Sequence, residues 1–229
     1  MPNLREFANA ATLVSAATQH VVRRLKADLA AQDRVTLVVS GGRSPVPLFQ
    51  ALAKQSLAWE RVTVTLADER WVAPDHADSN EALVRSHLLK HRAAEAAFVP
   101  FWTGTATPEA AVPVVAAALA ELPHPFSLVL LGMGEDGHMA SLFPGAETLV
   151  EGLTSEASVV AVRPPQAPHR RLSLSLHALL DSREILLMIS GTEKRRILEK
   201  ALDEGSVETC PIRAILRQTV VPVSVFWAP

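Results

Sequence analysis

The residues best equipped for chemistry sit in short polar stretches, each following an apolar run. The sharpest is Gly132-Met133-Gly134-Glu135-Asp136-Gly137-His138. A neutral imidazole can take a proton from water near neutral pH, and Asp136, two residues earlier, is placed to orient the ring or raise its basicity. A lone histidine is usually structural. One in a loop kept open by three glycines after an apolar run favours a general base. The same residues fit G-x-G-x-x-G, but the dinucleotide fingerprint lies in the first βα turn and opens a long helix. Here the stretch comes late in the chain and Pro144-Gly145 follows closely, so the match is formal only.

A second stretch, Ser40-Gly41-Gly42-Arg43-Ser44-Pro45, carries two hydroxyls and a guanidinium in a glycine-rich turn. Backbone N–H groups exposed by Gly41 and Gly42 suit a phosphate, and Arg43 can add a charge-assisted contact. The competing reading is a tight turn with Arg43 pointing outward. Asp68-Glu69-Arg70 places three charges after an apolar run, and Lys194 in Gly191-Thr192-Glu193-Lys194 can hold an anion. Arg170 and Arg171 add positive charge ahead of Leu172-Ser173-Leu174-Ser175. For each of these a solvated surface charge is the alternative. His87 and His91 share a helix face but lack a third ligand, and there is no H-E-x-x-H or G-x-S-x-G motif, so neither a metal site nor a nucleophile elbow is expected.

The elements that must position these groups follow from periodicity. Leu4 to Ala31 reads as one amphipathic helix, with Phe7, Ala11, Val14, Thr18, Val21, Val22, Leu25 and Leu29 at three- and four-residue steps. Strands are expected at 35–39, 62–66, 97–101, 126–131, 158–162, 172–176, 184–189 and 220–226. Helices are expected at 47–54, 80–91 with Ser79 as cap, 108–121 with Pro113 kinking it or marking its start, 192–202 and 211–218. Fully apolar strands separated by helices predict a single-domain α/β fold over 1–229, a largely parallel, doubly wound sheet with helices on both faces. Ligands of such sheets sit beyond the carboxyl ends of the strands. The loops after Val39, Leu66, Leu131 and Ile189 should therefore converge on one crevice.

Composition fits this picture. Of 229 residues, 48% are hydrophobic and 20% charged, with no Tyr, so the core must be built mainly from Leu, Val and Ala. The formal net charge of -2 argues against a nucleic-acid partner that depends on overall positive charge. Cys210 has no partner for a disulfide and reads as a buried thiol. Residues 1–6 lack a signal-peptide pattern and no apolar run is long enough to span a bilayer, so a cytoplasmic protein without a membrane partner is expected, as a monomer or small homo-oligomer.

The blocks 40–45, 68–72 (Asp-Glu-Arg-Trp-Val), Ser79-Asn80, 132–145, 171–174 and 191–194 resemble, in order, those of the 6-phosphogluconolactonase family. Ser44 stands where many relatives have Thr, and Leu172-Ser173 where Ile or Val and then Thr are common; both changes keep size and hydroxyl chemistry. The resemblance implies the fold shared with glucosamine-6-phosphate deaminases and ribose-5-phosphate isomerases. It also implies hydrolysis of 6-phospho-D-glucono-1,5-lactone, a small phosphorylated sugar lactone, with no metal or organic cofactor. On that reading His138 is the general base and Asp136 its orienting partner. Arg70, or nearby backbone N–H groups, meets the oxyanion or else the phosphate. Ser40, Gly41, Gly42, Arg43, Ser44, Asp68, Arg171 and Lys194 hold the substrate. A rival on the same fold is an amino-sugar-phosphate deaminase or isomerase, but those enzymes resemble Gly-His followed by Ala-Phe-Asn-Glu-Pro, and residues 139–144 carry no Asn-Glu pair. A non-catalytic sugar-phosphate sensor would need a DNA-binding module, for which the first helix leaves no space.

Overall fold

The computed structural model describes residues 2–229. Its centre is a seven-stranded, wholly parallel sheet of order β1-β10-β9-β6-β2-β3-β5. The strands are β1 (Asn3–Glu6), β2 (Val35–Val39), β3 (Val62–Leu66), β5 (Ala97–Val99), β6 (Leu128–Leu131), β9 (Ile185–Ser190) and β10 (Val223–Ala228). Every residue of β2, β3 and β6 is buried, as strands covered on both faces require. The helices packed around the two sheets include α1 (Ala10–Ala31), α2 (Val46–Leu52), α3 (Asn80–His87), α4 (Pro108–Ala120) and α7 (Thr192–Leu202). Among the described residues no helix is long and apolar enough to cross a membrane.

From β2 the chain builds outward through β3 to β5. From β6 it builds the other way, through β9 and β10. The order therefore reverses between β2 and β6, whose carboxyl ends point the same way. Such a switch point leaves a crevice where the loops diverge, and the two loops that leave it are 40–45 and 132–138.

The first predicted helix needs correction. Residues 3–6 form edge strand β1, paired with β10, and α1 starts only at Ala10. Asn9 sets that start: its Oδ1 accepts from the Thr12 backbone N–H at 3.0 Å while Thr12 Oγ1 accepts from the Asn9 N–H at 3.3 Å. This reciprocal cap satisfies two otherwise unpaired donors. Leu4 and Phe7 thus belong to the strand side, Phe7 packing on Phe226 at 5.0 Å.

A second departure bears directly on function. Asp68–Arg70, expected as a loop, is strand β4, and it pairs antiparallel with β8 (Arg171–Leu174), which pairs with β7 (Val159–Val162). The strands expected at 158–162 and 172–176 thus build a small antiparallel sheet rather than extending the large one. Leu176 belongs to a short helix, α6 (Leu176–Leu180), which Ser175 caps through its Oγ. The short α5 (Leu149–Thr154) was not expected. α3 ends at His87 rather than near 91, Pro113 sits inside an unbroken α4, and the predicted helix at 211–218 is α8 (Ile212–Arg217).

Candidate active site

The four loops predicted to converge do so. A cavity of about 290 Å³ is lined by Ser40, Gly41, Gly42, Arg43 and Ser44 beyond β2, Asp68 and Arg70 on β4, and Gly132, Met133, Gly134 and His138 beyond β6. Arg171 on β8 and Lys194 in the first turn of α7 complete the polar wall. Every proposed substrate-binding residue lines it, and so do His138 and Arg70. Asp136 stands behind His138. Arg170 does not line it and pairs outward with Glu109.

The imidazole is fixed by its own loop. His138 Nδ1 lies 2.6 Å from Asp136 Oδ1, which also accepts the His138 backbone N–H at 3.0 Å. With Nδ1–H donated to a carboxylate, Nε2 carries the free lone pair. Burial pushes the Asp136 carboxyl up, but the hydrogen bonds from the His138 ring and backbone outweigh it and hold the group below its ordinary range. Asp136 therefore stays an anion beside the ring. Phe143 packs against the imidazole, the ring centroids 4.2 Å apart and the planes tilted by 36°.

Two glycines make this geometry possible. A Cβ on Gly134 would overlap the His138 ring and lie 2.6 Å from Asp136 Oδ1, so the dyad packs directly on bare backbone. Gly137 has φ +80, and a Cβ there would strike Cys210 Sγ. The thiol expected to be buried is 5% exposed and braces this turn, aided by the Ile212 N–H donating to Gly137 O at 2.9 Å.

β4 and β8 explain the cationic wall. Asp68 opposes Ser173, and Arg70 opposes Arg171. Directly opposed residues share a face and alternate ones return to it, so Asp68, Arg70, Arg171 and Ser173 all point the same way. Two guanidiniums therefore stand side by side at the cavity, and the Nε of each is buried without a partner. Burial, and secondarily the charge of Arg70, lowers the pKa of Arg171. Asp68 compensates in part, its Oδ2 lying 3.9 Å from Arg171 Nη1 and accepting from Ser141 Oγ at 2.5 Å. The Arg171 guanidinium also lies over the Phe143 ring, 5.8 Å from its centroid. Lys194 is half-buried, and desolvation lowers its pKa.

Glu69, on the opposite face of β4, is buried. Its two oxygens accept from the backbone N–H groups of Arg70, Asn80 and Glu81 and from Ser79 Oγ, at 2.7–3.2 Å. It thereby ties the start of α3 to the strand that carries Arg70. Burial pushes its pKa up to about 7, against the pull of those backbone donors. Sequence reasoning gave Glu69 no such role, because capping by a residue eleven positions away leaves no local spacing signal.

Asn80 does line the cavity, although the sequence did not single it out as a ligand. It is 1% exposed, donates from Nδ2 to Asp68 O at 2.8 Å, and leaves Oδ1 unpartnered. A Cβ on Gly41 would overlap its carboxamide, so Gly41 is required for the 40–45 turn to seat against α3. The Ser40 hydroxyl is likewise buried and unpartnered. Buried polar groups rarely stay unsatisfied, and both residues belong to the cavity wall that the arginines line.

Comparison with known proteins agrees with this arrangement. The family described as glucosamine-6-phosphate isomerases/6-phosphogluconolactonase matches residues 8–227. The chain is 40% identical to a 6-phosphogluconolactonase of Rhizobium meliloti, covering 99% of each chain, and 41% identical to one of Pseudomonas putida, over 99% of this chain and 93% of that one. Its backbone follows the crystal structure of a 6-phosphogluconolactonase from Shewanella baltica with a TM-score of 0.99 at 41% identity, covering 100% of this chain and 98% of that one. By sequence along its length, by backbone and by the loops gathered at its switch point, the chain belongs to the glucosamine-6-phosphate isomerase/6-phosphogluconolactonase family.

Proposed function

We propose that the chain is a cytoplasmic enzyme that hydrolyses 6-phospho-D-glucono-1,5-lactone to 6-phospho-D-gluconate, the second step of the oxidative pentose phosphate pathway. The names of its full-length relatives support this. The observation that carries the chemistry is the His138–Asp136 pair, set in a cavity whose other wall is cationic.

His138 Nε2 takes a proton from a water molecule as the water oxygen bonds to C1 of the lactone. The tetrahedral intermediate collapses with cleavage of the bond from C1 to the ring oxygen, and the imidazolium returns its proton to that oxygen. Asp136 stabilises the transient imidazolium. A lactone is already an activated ester, so no covalent nucleophile is needed. General base catalysis of about 10²–10⁴-fold and positioning in a cationic cavity supply the rate.

The paired guanidiniums of Arg70 and Arg171 suit the phosphate. Two adjacent positive charges are best met by a group that carries nearly two negative ones, and each can donate to it. This favours anchoring over oxyanion stabilisation for Arg70. Ser40, Gly41, Gly42, Arg43, Ser44 and Lys194 extend the same anion-binding surface, and Asp68 holds Arg171 in place.

The test is a pH-stat assay of freshly prepared lactone against its spontaneous opening, since the acid product releases a proton. Phosphorylated lactone should be opened far faster than the unphosphorylated compound, and glucosamine 6-phosphate should release no ammonia. His138→Ala should lose about 10²–10⁴-fold in kcat. Near-normal turnover by that variant refutes the proposed base.

A further inference from the structure

Outside the cavity lining, His76, Asp78 and His169 bring two imidazoles and a carboxylate together, with one donor atom of each within 4.8 Å of the others. His169 Nε2 lies 2.9 Å from Asp78 Oδ2, and His76 Nδ1 lies 3.8 Å from the same oxygen. The imidazole rings meet edge to face at 5.4 Å. Donor atoms around a tetrahedral zinc ion stand about 3.3 Å apart, given bonds of about 2.0–2.1 Å. One of these spacings is slightly shorter and one slightly longer than that ideal. Small side-chain rotations bring all three onto one ion, at the cost of the exposed hydrogen bond from the Asp78 N–H to His76 Nδ1.

We propose that His76, Asp78 and His169 form a binding site for one divalent transition-metal ion of the zinc class. Two imidazoles and one carboxylate form a borderline donor set, which prefers zinc, nickel, cobalt or copper to calcium or magnesium. All three side chains are reachable from solvent, with exposures of 46%, 53% and 28%, so an ion can enter without unfolding. Three protein ligands leave a fourth position for water.

The site has a mechanical consequence. His76 and Asp78 lie on the segment between β4 and α3, whereas His169 lies on the segment that enters β8. The Asp78 carbonyl accepts from Arg70 Nη1 at 2.6 Å, and His169 precedes Arg170 and Arg171 in sequence. An ion held by all three residues would staple together the segments that support both cavity arginines. His169 holds φ +68, a left-handed conformation uncommon for a residue with a side chain, at the position from which its ring meets Asp78.

The test is calorimetric titration of Zn2+ into the purified full chain in non-chelating buffer, with thermal unfolding followed in parallel. One ion per chain should bind with micromolar affinity, and Tm should rise by about 5 °C or more at a hundredfold excess over Kd. His76→Gln and His169→Gln should each weaken binding at least tenfold and abolish the Tm shift. His76→Gln, altered at an exposed position, should keep its metal-free activity and Tm, which separates lost ligation from lost folding. Co2+ should give the intense visible absorption of a four-coordinate site in the wild type and lose it in both variants. Absence of stoichiometric binding overturns the proposal. So does binding that survives both substitutions, which would put the ion elsewhere, the His138–Asp136 pair included.

Discussion

Gly134→Ala isolates the base from the anion site. The φ of Gly134 lies outside the left-handed region, so alanine fits the backbone, yet its methyl would overlap the His138 ring and lie 2.6 Å from Asp136 Oδ1. Ordinary contact begins near 3.4 Å, so the imidazole and its carboxylate must retreat by roughly an ångström or more. A misplacement of about 1 Å can cost about 10²-fold, and complete loss of general base catalysis up to about 10⁴-fold. The variant should therefore lose between about 10²- and 10⁴-fold in kcat, or roughly 3–5 kcal/mol of transition-state stabilisation. The three atoms nearest the new methyl all belong to His138 and Asp136, so the clash falls on the base and Kd for 6-phosphogluconate should stay within about twofold of wild type. Lactone opening by pH-stat and product binding by calorimetry read the two quantities separately, with circular dichroism as the folding control. A Gly134→Ala enzyme within twofold of wild-type kcat would refute the claim that the His138–Asp136 geometry carries the reaction.

Gly41→Ala should give the opposite signature. Its methyl overlaps the Asn80 carboxamide and unseats the anion-binding turn, so KM should rise about tenfold or more, the worth of one charge-assisted hydrogen bond of about 1.5–3 kcal/mol, with kcat nearly retained. Asp136→Asn should lower kcat by about 10–10²-fold, less than the roughly 10⁴-fold of a buried triad aspartate, because Asp136 is half exposed. Loss of the carboxylate also removes the acceptor that fixes the Nδ1–H, so the loss should fall on kcat while Kd for 6-phosphogluconate stays within about twofold; an unchanged kcat would show that Asp136 does not act through His138. Glu69 is expected to make stability depend on pH. Its pKa is about 7 when folded against 4.5 ordinarily, so the native state binds the extra proton and the stability Glu69 contributes is lost as pH rises between those values, by at most about 3 kcal/mol. In urea melts, wild type minus Glu69→Gln should fall from pH 5 to pH 8, and a constant or widening difference contradicts this.

What was legible in the sequence was whatever local spacing controls. Strands β2, β3, β6 and β9 announced themselves as apolar runs, and α7 began and ended where its pattern did. Because strand ends and switch points fix where loops go, the convergence of residues 40–45, 132–138 and Lys194 could also be read. Elements whose identity depends on a distant partner could not. Asp68–Arg70 has three charges and no strand pattern, and it is extended because β8 pairs with it from a hundred residues away. The pairing of Arg70 with Arg171 was hidden for the same reason. Residues 4–6 were absorbed into a helical pattern because Leu4 and Phe7 happened to continue its period, although Asn9 and Thr12 carried the start signal. α5 and α6 are too short to show a period, at six and five residues.

The pairing of β1 with β10 sets a timetable for synthesis. β1 leaves the ribosome before the other described strands, but the only one of them it pairs with, β10, emerges after all the rest. Until then Phe7 has no Phe226 to rest on, Leu4 has no Val225 to pair with, and Glu6 has yet to meet Arg195. The nascent chain can assemble β2, β3, β5 and β6 around the switch point while its leading strand waits, an unpaired edge that favours chaperone engagement or intermolecular pairing. A chain halted shortly before Val223 would lack β10 and so leave β1 without a template, even with His138, Arg70 and Lys194 all translated.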